Sequence, residues 1–168
     1  TMALVLDGNN LLTTGVLNSF TAQNSTSGTL IDFTNIPVGV KRLTMTFYNV
    51  STNGSSFVIV QLGSGSFTTS GYYSASGSTN STTNGQSATT GFVIGNYGAG
   101  DYRMGTMTIA LVGGYNWVAS HSITSSTGAF GTCGGGQVTI SGVLDRVRLT
   151  TVNGTDAFDS GIVNLLYE

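Results

Sequence analysis

Apolar side chains in this chain recur at every second position, and that period restricts it to β-structure. In KRLTMTFYNV, Leu43, Met45 and Phe47 share one face, while Arg42, Thr44, Thr46 and Tyr48 share the other. GTMTIALVG puts Met107, Ile109 and Leu111 on one side. YNWVASHSI puts Tyr115, Trp117, Ala119, His121 and Ile123 on one side. In DRVRLTTV, Val147 and Leu149 point one way and Arg146 and Arg148 the other. No stripe of helical spacing flanked by capping residues competes with this pattern.

Turn chemistry fits between the alternating runs. Gly113-Gly114 separates two of them and predicts a hairpin. Gly54 and its neighbours turn the chain into a further strand, SFVIVQLG. At the C-terminus, VNGTDAFDSG turns between DRVRLTTV and GIVNLLYE. These read as a terminal hairpin whose last strand lies paired inside a sheet, which lowers the need for protective edge charges. SASGSTNSTTNGQSATT, Ser74 to Thr90, reads as a long loop. Ten to twelve short strands in 168 residues predict one domain over 1–168. It is all-β, an antiparallel β-sandwich of jelly-roll-like form.

Charge narrows the partners. Only 7% of residues are charged, against roughly 25% in ordinary globular chains. Ser, Thr, Asn and 25 glycines carry the polarity instead. Five basic residues and a net charge of −2 provide no electrostatic footprint for nucleic acid or for an anionic membrane. No apolar run approaches the ~20 residues of a membrane-spanning helix. The single cysteine, Cys133, excludes an intrachain disulfide and fits assembly in a reducing cytosol.

The chemistry-bearing residues are few. His121 is the only histidine. Asp101 or Asp145 could orient it and a serine could act as nucleophile, but no G-x-S-x-G elbow occurs, so it reads as a satisfied structural or surface histidine. Asn153, Asp156 and Asp159 are oxygen ligands of the kind calcium takes, without the spacing of an EF-hand. Local Asx-turn bonding is the reading adopted for that turn. The glycines of GAFGTCGGG lack the context of a phosphate loop, and read as a tight turn or a close approach of backbones. No catalytic residue, metal or cofactor is therefore expected.

Recognition chemistry remains. NYGAGDYRMG gathers Tyr97, Asp101, Tyr102 and Arg103 in a Gly-rich turn, and Tyr115 and Trp117 lie in or beside another. Rings can stack on the apolar face of a sugar while Asp, Asn and Arg bond its hydroxyls. Tyr97, Asp101, Tyr102, Arg103, Tyr115 and Trp117 are the candidate ligand contacts. The alternative for each ring is a place in the core or at a subunit interface.

Four segments resemble a module found at the distal end of phage and prophage tail fibres or tailspikes. They are LVLDGNN, then IDFTNIPVGVKRLTMTFYNVSTNGSSFVIVQLGSG, then TTGFVIG, then LDRVRLTTVNGTDAFDSGIVNLLYE. The resemblance runs from about Leu4 to Glu168 and carries no active-site residue. It implies a compact β domain on a trimeric virion appendage, made in the bacterial cytoplasm. Its partners would be other tail proteins and a host-surface glycan or protein. The expectation is a non-enzymatic, homotrimeric receptor-binding tip. The alternatives are a structural virion protein (capsid decoration or fibre trimerisation cap) and a cellular lectin or adhesin.

Overall fold

The computed structural model describes residues 16–79, 85–95, 98–126 and 130–168. The described residues form no helix and fourteen strands. These are β1 (Asn18–Ser19), β2 (Gln23–Asn24), β3 (Leu30–Thr34), β4 (Arg42–Thr52), β5 (Val58–Ser64), β6 (Ser66–Phe67) and β7 (Tyr73–Ser78). They continue with β8 (Gly85–Ala88), β9 (Phe92–Val93), β10 (Arg103–Gly113), β11 (Asn116–Ser125), β12 (Gly131–Thr139), β13 (Arg146–Thr151) and β14 (Phe158–Tyr167).

Two antiparallel sheets pack face to face. The larger runs β1-β14-β4-β10-β11-β12-β7-β8, with β2 also on β14. The smaller runs β3-β13-β5-β6, with β9 also on β5. The alternation in sequence becomes the inside and outside of this sandwich. Leu43, Met45, Phe47, Met107 and Ile109 from the larger sheet meet Ile31, Phe33, Val60, Leu62, Val147 and Leu149 from the smaller one, and all are buried. Each such side chain contributes about 1.5–3 kcal/mol on burial.

Two expectations are corrected. The terminal segment is not a hairpin. β13 pairs with β3 and β5 in the small sheet, whereas β14 pairs with β4, β1 and β2 in the large one. The turn between them is a corner from one sheet to the other, because Val147 and Leu149 must face Val163 and Leu165 across the core. β14 lies one place in from the edge, and the two-residue strands β1 and β2 cover its outer side. Nor is Ser74–Thr90 wholly a loop. Its described residues include most of β7 and all of β8, paired as a hairpin that extends the large sheet beyond β12. The inward positions there are small and polar rather than apolar, which hides the strand from a hydrophobicity pattern. Ser74 and Ser76 are buried, and Ser74 Oγ accepts from the Val93 amide at 2.9 Å.

One lateral row shows how the sheet accommodates this change. Leu165, Met45, Met107, His121, Gly134, Ser76 and Gln86 are partners across six successive strand pairs. The row is apolar at one end and polar at the other, and Gly134 lies at the crossover. A methyl group there would strike the Ala75 carbonyl and lie 2.7 Å from His121 Cε1. The missing side chain lets the imidazole reach Ser76 Oγ, 3.0 Å from Nε2. The close backbone approach expected of the GAFGTCGGG glycines is therefore found. Gly134→Ala is expected to destabilise the fold by about 1–3 kcal/mol, the usual range for overpacking. Chemical denaturation checks this, and a change under ~0.5 kcal/mol would contradict the packing described.

Candidate functional site

The β10–β11 hairpin distributes five of the six candidate contacts to its two ends. Asp101 and Tyr102 immediately precede β10 and Arg103 begins it, while Tyr115 and Trp117 flank the start of β11. β10 runs eleven residues between the groups, a rise of about 34 Å at strand spacing. They do not form one site. Tyr97 lies outside the described residues.

At the first end, Asp101 closes a turn on itself. Its Oδ2 accepts from the Gly98 amide at 2.7 Å, and its own amide donates to the Gly98 carbonyl at 3.2 Å. Arg103 is buried, not presented to solvent. Its Nη1 approaches the carbonyls of Val50 at 3.4 Å and Asp101 at 3.5 Å. It lies where β10 shifts register against β4, and the irregular backbone there leaves carbonyl oxygens for a guanidinium. Arg103 is thus a structural residue, and Tyr102 is the exposed ring of this end.

At the other end, two of the candidates do come together. Tyr115 and Trp117 line a cleft of about 180 Å³ with Val38, Val40, Leu111, Val143 and Leu144. Three connections build it. They are Pro37–Lys41 between β3 and β4, the Gly113-Gly114 turn, and the segment between β12 and β13. Gly114 has φ +57°, the left-handed conformation that the predicted tight turn requires. Trp117 is 2% exposed and forms the floor. Its indole belongs to the core, so the reading of Trp117 as a surface contact is corrected. Tyr115 stands 47% exposed at the wall, with Val38 at 86% and Val143 at 48%. Lys41 is the charged residue of the lining.

Val38 and Val143 were not singled out from the sequence. Their signal was present in PVGV and SGVL, where valines fall inside Gly-rich connections rather than at strand positions. An apolar side chain in a turn has no sheet face to pack against and emerges into solvent. Exposed apolar groups gathered beside a concavity suit a partner with an apolar face. Tyr115 adds a ring for stacking and a phenol for hydrogen bonding.

The other sites considered resolve into structural roles. His121 is buried between the sheets, and burial pushes its pKa down from 6.5 to about 4. Its Nδ1 has no hydrogen-bond partner among the described residues, so neither Asp101 nor Asp145 orients the ring. Asn153 and Asp156 make the expected Asx turn, whereas Asp159, expected in the same role, lies exposed in β14. Asn153 Oδ1 accepts from the amides of Thr155 at 3.0 Å and Asp156 at 3.2 Å. Asn153 Nδ2 donates to Asp156 Oδ1 at 2.6 Å, and the Ser56 amide donates to Oδ2 at 2.8 Å. The bond from Asn153, then that from Ser56, holds the Asp156 carboxyl below its usual range. Both carboxylate oxygens are therefore committed to binding this corner to the β4–β5 connection. No cluster of three or more metal-ligating His, Cys, Asp or Glu occurs among the described residues.

Compared with known proteins, the chain matches no protein-family model, no curated protein and no solved structure.

Proposed function

We propose that this protein is a non-enzymatic recognition module of the kind that tips a phage tail, engaging a host-surface glycan or protein through the hairpin-end cleft. The cleft carries the reading. It places exposed Tyr115, Val38 and Val143 around a concavity whose floor is the rigid core residue Trp117. A wall that is already ordered loses little entropy on binding. Three copies on one appendage would turn modest single-site affinity into avidity. The resemblance of the four quoted segments to tail modules supplies the biological setting. The test is binding of the purified protein to a panel of bacterial cells and their extracted surface polysaccharides. Saturable binding to some strains and not others is expected, and no binding to any would overturn the reading.

A structural virion role is favoured by a different observation. The outer face of the large sheet carries the rows Thr46, Thr106, Ser122, Cys133, Gly77 and Thr44, Thr108, Ser120, Gly135, Ala75. Each crosses five strands without a charge. Such a face can meet another copy without like-charge repulsion. Light scattering tests it. A trimer that Ser120→Arg dissociates, together with no binding to cells, would support a trimerisation cap over a receptor-binding tip.

A further inference from the structure

Across the outer face of the small sheet, Asp32, Arg148 and Gln61 are lateral partners on β3, β13 and β5. Arg148 is fixed on two sides. Its Nε and Nη2 donate to Asp32 Oδ1 and Oδ2 at 2.7 and 2.8 Å. Its guanidinium also lies 4.0 Å over the Phe67 ring. Nη1 is left without a bond to any described residue. Beside it, Gln61 is only 6% exposed. Its Nε2 donates to the Thr90 carbonyl at 2.8 Å, and its Oε1 accepts from no described residue. Thr90 Oγ1 is buried without a partner among them. Thr150 Oγ1 donates to the Thr29 carbonyl at 2.9 Å, which leaves its lone pairs able to accept.

These groups converge on one groove of about 320 Å³, and the exposed side chains of Leu30 and Val152 stand in its walls. A buried hydroxyl without a partner, as at Thr90, is unfavourable unless something outside the chain supplies one. We infer that this groove binds a neutral saccharide. The groove offers an acceptor at Gln61, donors at Arg148, and hydroxyls that can do either. Sugar hydroxyls match that mixture because each is both donor and acceptor. Leu30 and Val152 would meet the C–H surface of a sugar ring. The ligand is neutral because Asp32 already matches the charge of Arg148. A peptide adding as a strand finds no opening on the groove's central strand, since β13 is paired on both edges by β3 and β5.

The groove shares no lining residue with the hairpin-end cleft, so either site can fail alone. The test is a two-dimensional NMR titration of the full chain with glucose, galactose, N-acetylglucosamine and rhamnose. At least one should give saturable shifts at the Gln61 side-chain amide and at Thr90 and Thr150. Gln61→Leu should weaken that binding about tenfold, the cost of one lost hydrogen bond to a buried group. Thr90→Val keeps the side-chain shape and removes the unbonded hydroxyl. It should fold normally and weaken binding severalfold, which keeps the test valid if Gln61→Leu misfolds. No saturable shift with any of the four sugars, or equal affinity in a folded variant, would overturn the groove. Shifts confined to Tyr115 and Val143 would also overturn it while leaving the hairpin-end cleft intact.

Discussion

Trp117→Ala is expected to lower the unfolding free energy by about 3–5 kcal/mol, the range for deleting a large buried aromatic. The indole is a lateral partner of Leu111 on β10 and Val138 on β12, and it closes the core beneath the hairpin-end cleft. Its removal leaves a void bounded by β-sheet backbone, which can collapse only partly. Tyr115, two residues away, makes the contrast. It is half exposed, and Tyr115→Ala should change stability by no more than about 0.5 kcal/mol. Denaturant titrations with an unchanged slope would measure both. Trp117 is also the single tryptophan, so wild-type fluorescence should be blue-shifted and should move red on unfolding. A loss below about 1 kcal/mol in Trp117→Ala would show that the indole is not a core residue.

Between pH 6.5 and 4 the native state is expected to lose about 3 kcal/mol of stability through His121 alone. Burial pushes its folded pKa down from 6.5 to about 4. The unfolded chain therefore takes up a proton near pH 6.5, whereas the native protein resists until about 4. The contribution of this group is fully present above pH 6.5, declines through the window, and levels off below it. The lateral neighbours Met107 and Gly134, and the bonded Ser76, carry no charge that could stabilise an imidazolium. His121 is the only histidine, which leaves the window uncluttered. Asp145, held low first by its bond from Arg146, and Asp156, held low first by its bond from Asn153, lose their contributions only at more acidic pH. Denaturation midpoints measured from pH 7 to 4 should fall, and His121→Leu should remove most of the slope. The same slope in wild type and variant would contradict the burial of His121.

Much of the fold was legible because alternation and burial report the same thing. Leu43, Met45 and Phe47 were assigned to one face by period alone, and all three lie in the core. The Gly113-Gly114 hairpin and the Asx turn at Asn153 were legible from local chemistry, which needs no distant partner. What failed depended on distant partners. β7 and β8 bury serines and a glutamine against β12 and β9, so their inward face carries no hydrophobic signal. β13 and β14 look like a hairpin in sequence, yet the partners of each strand lie in opposite sheets, and period-two alternation is the same in both. The six candidate contacts were grouped by composition of their turns. The eleven-residue strand between Arg103 and Gly113 was itself readable, and it already separated Asp101 and Tyr102 from Tyr115. The row of Asp32, Arg148 and Gln61 comes from three strands far apart in the chain, and only register assembles it.

Recognition is proposed to occur at the hairpin-end cleft. Its most direct test is the binding isotherm of wild type against Tyr115→Ala and Val143→Asp on the bacterial strain or polysaccharide that the wild type binds best. Both residues are exposed beside the cleft, so both variants should keep the wild-type denaturation midpoint. Each variant should lose at least tenfold in affinity, the effect of about 1.4 kcal/mol lost from one contact. Wild-type affinity in both folded variants would contradict it, and would place any recognition on another face of the sandwich.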